Sequence, residues 1–195
     1  MEDNSKSFWA ISCRLVVIIF IIRCLVSWSS ICLMISNKEI ATCLYGVIGY
    51  VGESIVATTI IMALFNKYLW KLKAINIIVG RPIVLAKRYD GTLTSDYDHI
   101  ERSAVLEIEQ TYLKVIVKMK TEESVSSSIS SSISCINNEK QLIYIYLNEP
   151  KADIQDRSAM HYGTAMLRFS DANVISGNYY TGRNTKGSMK FEACD

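Results

Sequence analysis

Two apolar stretches of bilayer-crossing length follow one another near the start of this chain. They run Leu15–Ile35 and Cys43–Phe65, with only "SNKEIAT" between them. At about 1.5 Å per helical residue each reaches roughly 30 Å, the thickness of a bilayer's hydrocarbon core. A connection that short forces the two helices into an antiparallel hairpin. A cleaved signal, with Lys6 and Arg14 ahead of Leu15–Ile22, is disfavoured because no small-x-small cleavage pattern follows. Lys6 and Arg14 flank the first span, Lys67, Lys71, Lys73 and Arg81 follow the second, and the connection holds only Lys38. The positive-inside rule then places both ends in the cytoplasm, with Trp9, Tyr68 and Trp70 at interfacial positions.

Charge inside the spans is the second constraint. Arg23 and Glu53 each lie fifteen residues from Lys38, the expected tip, and so at equal depth. A guanidinium in hydrocarbon costs at least about 2.5 kcal/mol even on the mildest scale. The two form a candidate membrane charge pair, within one hairpin or between subunits. Arg23, Ser27 and Ser30 share a face of the first helix, and Gly46, Gly49, Glu53 and Ala57 share one of the second. Small residues permit close helix approach, and polar ones bond across. Such stripes either close one hairpin or meet between subunits.

Beyond residue 65 the composition changes abruptly, because residues 66–195 hold nearly all the Lys, Arg, Asp and Glu of the 195-residue chain. The expected organisation is a cytoplasmic N-terminus over 1–14, a hairpin over 15–65, a linker over 66–79 and a soluble domain over 80–195. A net charge of +2 is too small to argue for a DNA or RNA polymer as partner. Four of the six cysteines, Cys13, Cys24, Cys32 and Cys43, sit in or beside the apolar stretches. With Cys135 and Cys194 they form no metal-site spacing and read as reduced thiols.

The soluble part reads as short strands: "IVLAKRYDGTLTS", "AVLEIEQ", "YLKVIVKMK", "QLIYIYLN", "HYGTAMLRF", "VISGNYY" and "GSMKFE". Between them lies "SVSSSISSSISCI", whose Val125, Ile129, Ile133 and Cys135 all fall on odd positions. A period of two survives there, so a strand with a small hydroxyl-lined face is expected rather than a linker. Breaks fall at Asn137-Asn138, Asn148-Glu149-Pro150, Asp171-Ala172-Asn173 and Gly182-Arg183-Asn184. The fold class is therefore a membrane α-hairpin plus an all-β domain, an antiparallel β-barrel or sandwich of about eight strands. A closed barrel of that size can hold one small ligand. His99 and His161 lie in no catalytic motif, and neither a nucleophile elbow nor a phosphate loop occurs, so no enzyme, cofactor or metal is expected. His161 reads as a strand residue with a hydrogen-bonding role.

The order of two membrane helices, "YDGTLTSDY", "IEQTYLKVIVKMKTEES", "LIYIYLNEP", "HYGTAMLRF" and "GNYYTGRNTKGSMKF" resembles the two-transmembrane, β-strand-rich effectors of bacterial CBASS anti-phage systems. The likeness extends over essentially the whole chain and is most specific from Tyr179 to Phe191. One departure is Tyr89, where members often carry Trp. The resemblance implies a compact eight-stranded barrel that receives a cyclic dinucleotide from a functionally coupled synthase. It also implies self-association into oligomers and disruption of the inner-membrane lipid bilayer, ending in cell death. Such a ligand needs aromatic faces for two bases and donors for two phosphates. Tyr89, Tyr97, Tyr112, Tyr179 and Tyr180 are candidate faces; Thr181, Arg183, Thr185 and Lys186 are candidate donors. The rival reading is a membrane-anchored barrel that binds an apolar molecule or a protein partner and leaves the membrane intact.

Overall fold

The computed structural model describes residues 2–75 and 82–194. The chain divides into two compact units, Glu2–Gly80 and Arg81–Asp195. In the expected linker, 66–75 are described, with a short 3-10 turn at Leu69–Lys71; 76–79 lie outside the described residues.

The first unit is a helical hairpin. Helix α1 spans Glu2–Val26, α2 Trp28–Ser36 and α3 Ile40–Lys67. The first apolar run was expected as one helix from Leu15 to Ile35; instead helix begins at Glu2 and is interrupted at Ser27. The hydrogen-bond ladder passes through the interruption, from Ser27 N–H to Arg23 C=O at 3.1 Å and from Ile31 N–H to Ser27 C=O at 3.0 Å. At the interruption the Ser27 hydroxyl accepts from the Arg23 guanidinium at 2.7 Å. Two helices are long and apolar enough to cross a membrane, Asn4–Val26 and Ile40–Lys67. Lys38 stands at the tip with φ 58°. Phe8 and Phe65 lie 6.2 Å apart between ring centroids, so the start of α1 meets the end of α3.

Arg23 Nε donates to Glu53 Oε2 at 2.7 Å, and the guanidinium carbon sits 4.5 Å from the Tyr50 ring centroid. The side chains buried on α3 are Ser54, Thr58, Met62 and Phe65. Gly46 and Gly49 have open space where a Cβ would stand, so these two glycines do not mark the contact. The buried face is the one carrying Ser54, Thr58, Met62 and Phe65, small and polar at its first two positions.

The second unit is a closed antiparallel barrel in which every strand pairs with its sequence neighbours and β1 pairs with β8. The strands are β1 Arg88–Ser95, β2 Glu101–Gln110, β3 Val115–Thr121 and β4 Ser124–Ile136. They continue as β5 Glu139–Pro150, β6 His161–Phe169, β7 Val174–Thr181 and β8 Lys186–Ala193. Alternation of apolar and polar residues sets the inside, as in β6, where Gly163, Ala165, Leu167 and Phe169 are buried between exposed neighbours. The β4–β5 turn is Asn137-Asn138 with φ 52° and 64°, the left-handed pair a two-residue hairpin requires.

The serine-rich segment is a strand, but its two-residue period is broken. A bulge between Ser128 and Ser130 leaves Ile129 exposed and moves the inner face from even to odd positions. Ser126 faces inward before the bulge and Ile133 packs on the core after it. The expected break at Asn148-Glu149-Pro150 is likewise absent, because β5 continues through Pro150.

Candidate functional site

Filling is uneven along the barrel axis. At the end where the chain enters, Tyr89, Leu106, Leu142, Leu167, Ile175 and Phe191 pack without solvent access. The segment before β1 adds to this plug. Gln110 ties it in, its Oε1 accepting from Leu85 N–H at 3.0 Å and its Nε2 donating to the Ile83 carbonyl at 2.7 Å. The opposite end, where the loops at 96–100, 122–123, 151–160 and 182–185 gather, holds a cavity of about 680 Å³. That volume lies within the range of small-molecule sites, roughly 300–1,000 Å³.

Inward positions near the strand ends line the cavity: Ser95, Arg102, Thr121, Ser126, Tyr146 and Asn148 on β1 to β5, with His161, Tyr179 and Thr181 beyond. Two tyrosines occupy space that glycines vacate. A Cβ on Gly163 would collide with the end of the Tyr146 ring, and one on Gly187 with the ring of Tyr179. Burial pushes the Tyr146 phenol up to about 12. It also lowers the pKa of His161, whose Nδ1 lies 2.9 Å from the Ala159 carbonyl.

The rim is charged. Arg102 grips Asp98 with both terminal nitrogens and holds its carboxyl at about 2. Arg157 Nη2 donates to Glu123 Oε1 at 2.7 Å, joining the 151–160 loop to the β3–β4 turn. Arg183 also lines the cavity and has no ion pair among the described residues.

Of the residues expected to meet ligand, the structure brings Tyr97, Tyr179, Thr181, Arg183 and Thr185 to this cavity. Tyr97 is a rim residue, 84% exposed. Thr181 and Thr185 hydroxyls lie 2.7 Å apart, so both also close the β7–β8 turn. The other four stand elsewhere. Tyr89 is fully buried in the plug, its hydroxyl donating to the Ala172 carbonyl at 2.7 Å and accepting from Ala86 N–H. Tyr112 is buried in the β2–β3 loop at that same end. Tyr180 alternates with Tyr179 and is exposed on the outer surface, and the Lys186 side chain is exposed outside the lining.

Sequence reasoning passed over Asp98, Arg102, Glu123, Ser126, Tyr146, Asn148 and Arg157. Extending the parity of Leu142 along β5 would have found Tyr146 and Asn148. Arg157 lies in a loop and carries no periodic signal.

Residues 86–193, all within the barrel unit, match the Cap15 cyclic dinucleotide receptor domain. The chain belongs to the Cap15 family. Its likeness to the two-helix, barrel-bearing CBASS effectors is thereby shown. The CD-NTase-associated protein 15 of Staphylococcus schleiferi is 28% identical over 149 residues, covering 75% of this chain and 80% of that protein. The protein of the same name from Yersinia aleksiciae is 34% identical over 128 residues, 64% of this chain and 58% of its own length. Among solved structures a redesigned β-barrel aligns with TM-score 0.44 and 8% identity, over 57% of this chain and 92% of its own.

Proposed function

We propose that this Cap15-family chain is a membrane effector of anti-phage defence, in which the barrel binds a cyclic dinucleotide and the helical hairpin delivers the response. One observation carries the reading: the cavity inside the matched domain is lined by two aromatic side chains, Tyr97 and Tyr179, and by Arg183, which has no ion pair among the described residues. Stacked bases and charge-assisted contacts to phosphate are the two demands of such a ligand. The same lining argues against an apolar ligand, since hydroxyls, an amide and three guanidiniums surround the space. The relatives' name joins them to a CD-NTase, which points to a coupled synthase as the ligand's source.

On this reading the hairpin spans the inner membrane with both termini and the barrel in the cytoplasm, as the flanking lysines and arginines direct. Ligand binding promotes oligomerisation, and the assembled hairpins breach the bilayer. The chain acts as a receptor without chemistry of its own. The test has two arms. Full-length protein in detergent is titrated with cyclic dinucleotides and its melting followed; a ligand present at one hundred times Kd adds about 2.7 kcal/mol to native stability. Cells co-expressing the synthase are then scored for propidium uptake. No stabilisation by any cyclic dinucleotide overturns the receptor assignment. Stabilisation without propidium uptake at normal membrane levels overturns the assignment of membrane disruption.

A further inference from the structure

Three polar side chains are buried in the barrel among the described residues: Ser126, Gln141 and Asn148. Two of them, Ser126 at 2% exposure and Asn148 at 7%, line the cavity and bond to each other. They are cross-strand partners on β4 and β5, and Ser126 Oγ donates to Asn148 Oδ1 at 2.9 Å. Asn148 follows Leu142, Tyr144 and Tyr146 on the inward face of β5. Asparagine is a poor strand former, and burying an amide is costly unless its polar atoms are satisfied. A buried amide nitrogen takes its partner from the protein, from water or from a bound ligand. Here Nδ2 makes no hydrogen bond to a described residue, although the side chain is more than nine-tenths buried and lines the cavity.

We propose that Asn148 is a specificity residue of the barrel: Ser126 fixes its amide so that Nδ2 donates to an acceptor, a carbonyl or ring nitrogen, on the edge of one ligand base. The proposal rests on the cyclic dinucleotide reading and assigns one side chain the task of telling bases apart. Ser126 sets the direction of the amide. With Oδ1 engaged by the hydroxyl, the nitrogen takes the remaining side. Arg183 has a different task, because contacts to phosphate position a ligand and carry no information about its bases.

The experiment measures Kd for full-length protein in detergent against purine–purine, purine–pyrimidine and pyrimidine–pyrimidine cyclic dinucleotides. Asn148→Asp puts an acceptor where the donor stood. It should weaken the ligand preferred by the native chain about tenfold or more and change the order of preference. Ser126→Ala frees the amide to turn, and should bring preferred and second ligands closer together. Arg183→Ala should weaken all ligands by a similar factor and leave their order intact. Asn148→Ser, smaller and neutral, replaces the aspartate variant if that one does not fold. The proposal is overturned if the Asn148 variant keeps the native order of preference, or weakens every ligand equally as a structural substitution would. If the native chain binds none of the ligands, the receptor reading itself has failed and this inference falls with it.

Discussion

On the membrane reading proposed above, Arg23 and Glu53 stand where an unpaired charge is most costly. Their 2.7 Å contact offsets that cost for both. Glu53→Leu leaves the arginine alone in hydrocarbon and should lower membrane insertion more than Arg23→Leu with Glu53→Leu does. The exchange Arg23→Glu with Glu53→Arg should recover much of it, read as membrane-fraction protein on a blot. Additive single effects would mean the two do not interact. At the rim, Asp98 shows the same coupling in water. Its carboxyl is held at about 2 by Arg102, below an ordinary value near 3.8, so the charged form is favoured by folding. That stability is present above pH 3.8 and lost as pH falls toward 2. Asp98→Asn should flatten this part of the acid-unfolding profile in urea titrations between pH 5 and about 2.

Strands and helices depend on details that residue type does not announce. Ile129 and Ile133 have the same parity in the serine-rich strand, yet the bulge exposes one and packs the other on the core. Ile129→Ala should change stability by no more than about 0.5 kcal/mol. Ile133→Ala should cost roughly 2 kcal/mol, the low end for removing a core isoleucine, because it is only partly buried. Denaturant midpoints of the two variants decide the matter, and equal midpoints would mean that the bulge is misplaced. In the hairpin the interruption of helix at Ser27, whose hydroxyl accepts from Arg23, is likewise not announced by residue type.

Closure is the property of the whole barrel. With β8 paired to β1 no strand edge is left open, so a chain beginning near Ala74 should fold without the membrane. Far-ultraviolet circular dichroism rich in β-structure and a single cooperative melt are expected; aggregation of every such chain starting between residues 68 and 82 would refute independence. The same barrel should lose stability in alkali. Burial raises the phenols of Tyr89, Tyr144 and Tyr146, the last to about 12, so folding favours their protonated forms. The contribution is complete below pH 10 and falls as pH rises through 12 for Tyr146. Phenolate absorbance at 295 nm should report these three only as the barrel unfolds.

The order of elements was legible in the residues because it rests on local regularities. Two uncharged runs mark the hairpin, alternation marks the strands, and Asn137-Asn138 marks a turn. The contact of Arg23 with Glu53 could be reached by counting along two helices from Lys38. Five of the nine residues expected to meet a ligand line the cavity, yet chemistry does not say which end of a barrel a residue occupies. Tyr89 and Tyr179 look alike in sequence; one seals the plug and the other faces the cavity, because strand register and closure decide height along the axis. Asn148-Glu149-Pro150 has the composition of a turn, but pairing with Ser124 to Ser126 on β4 carries β5 through it. Position along a chain fixes neighbours within an element. Which side chains share a cavity depends on pairings between strands far apart in sequence, and only the folded barrel supplies those.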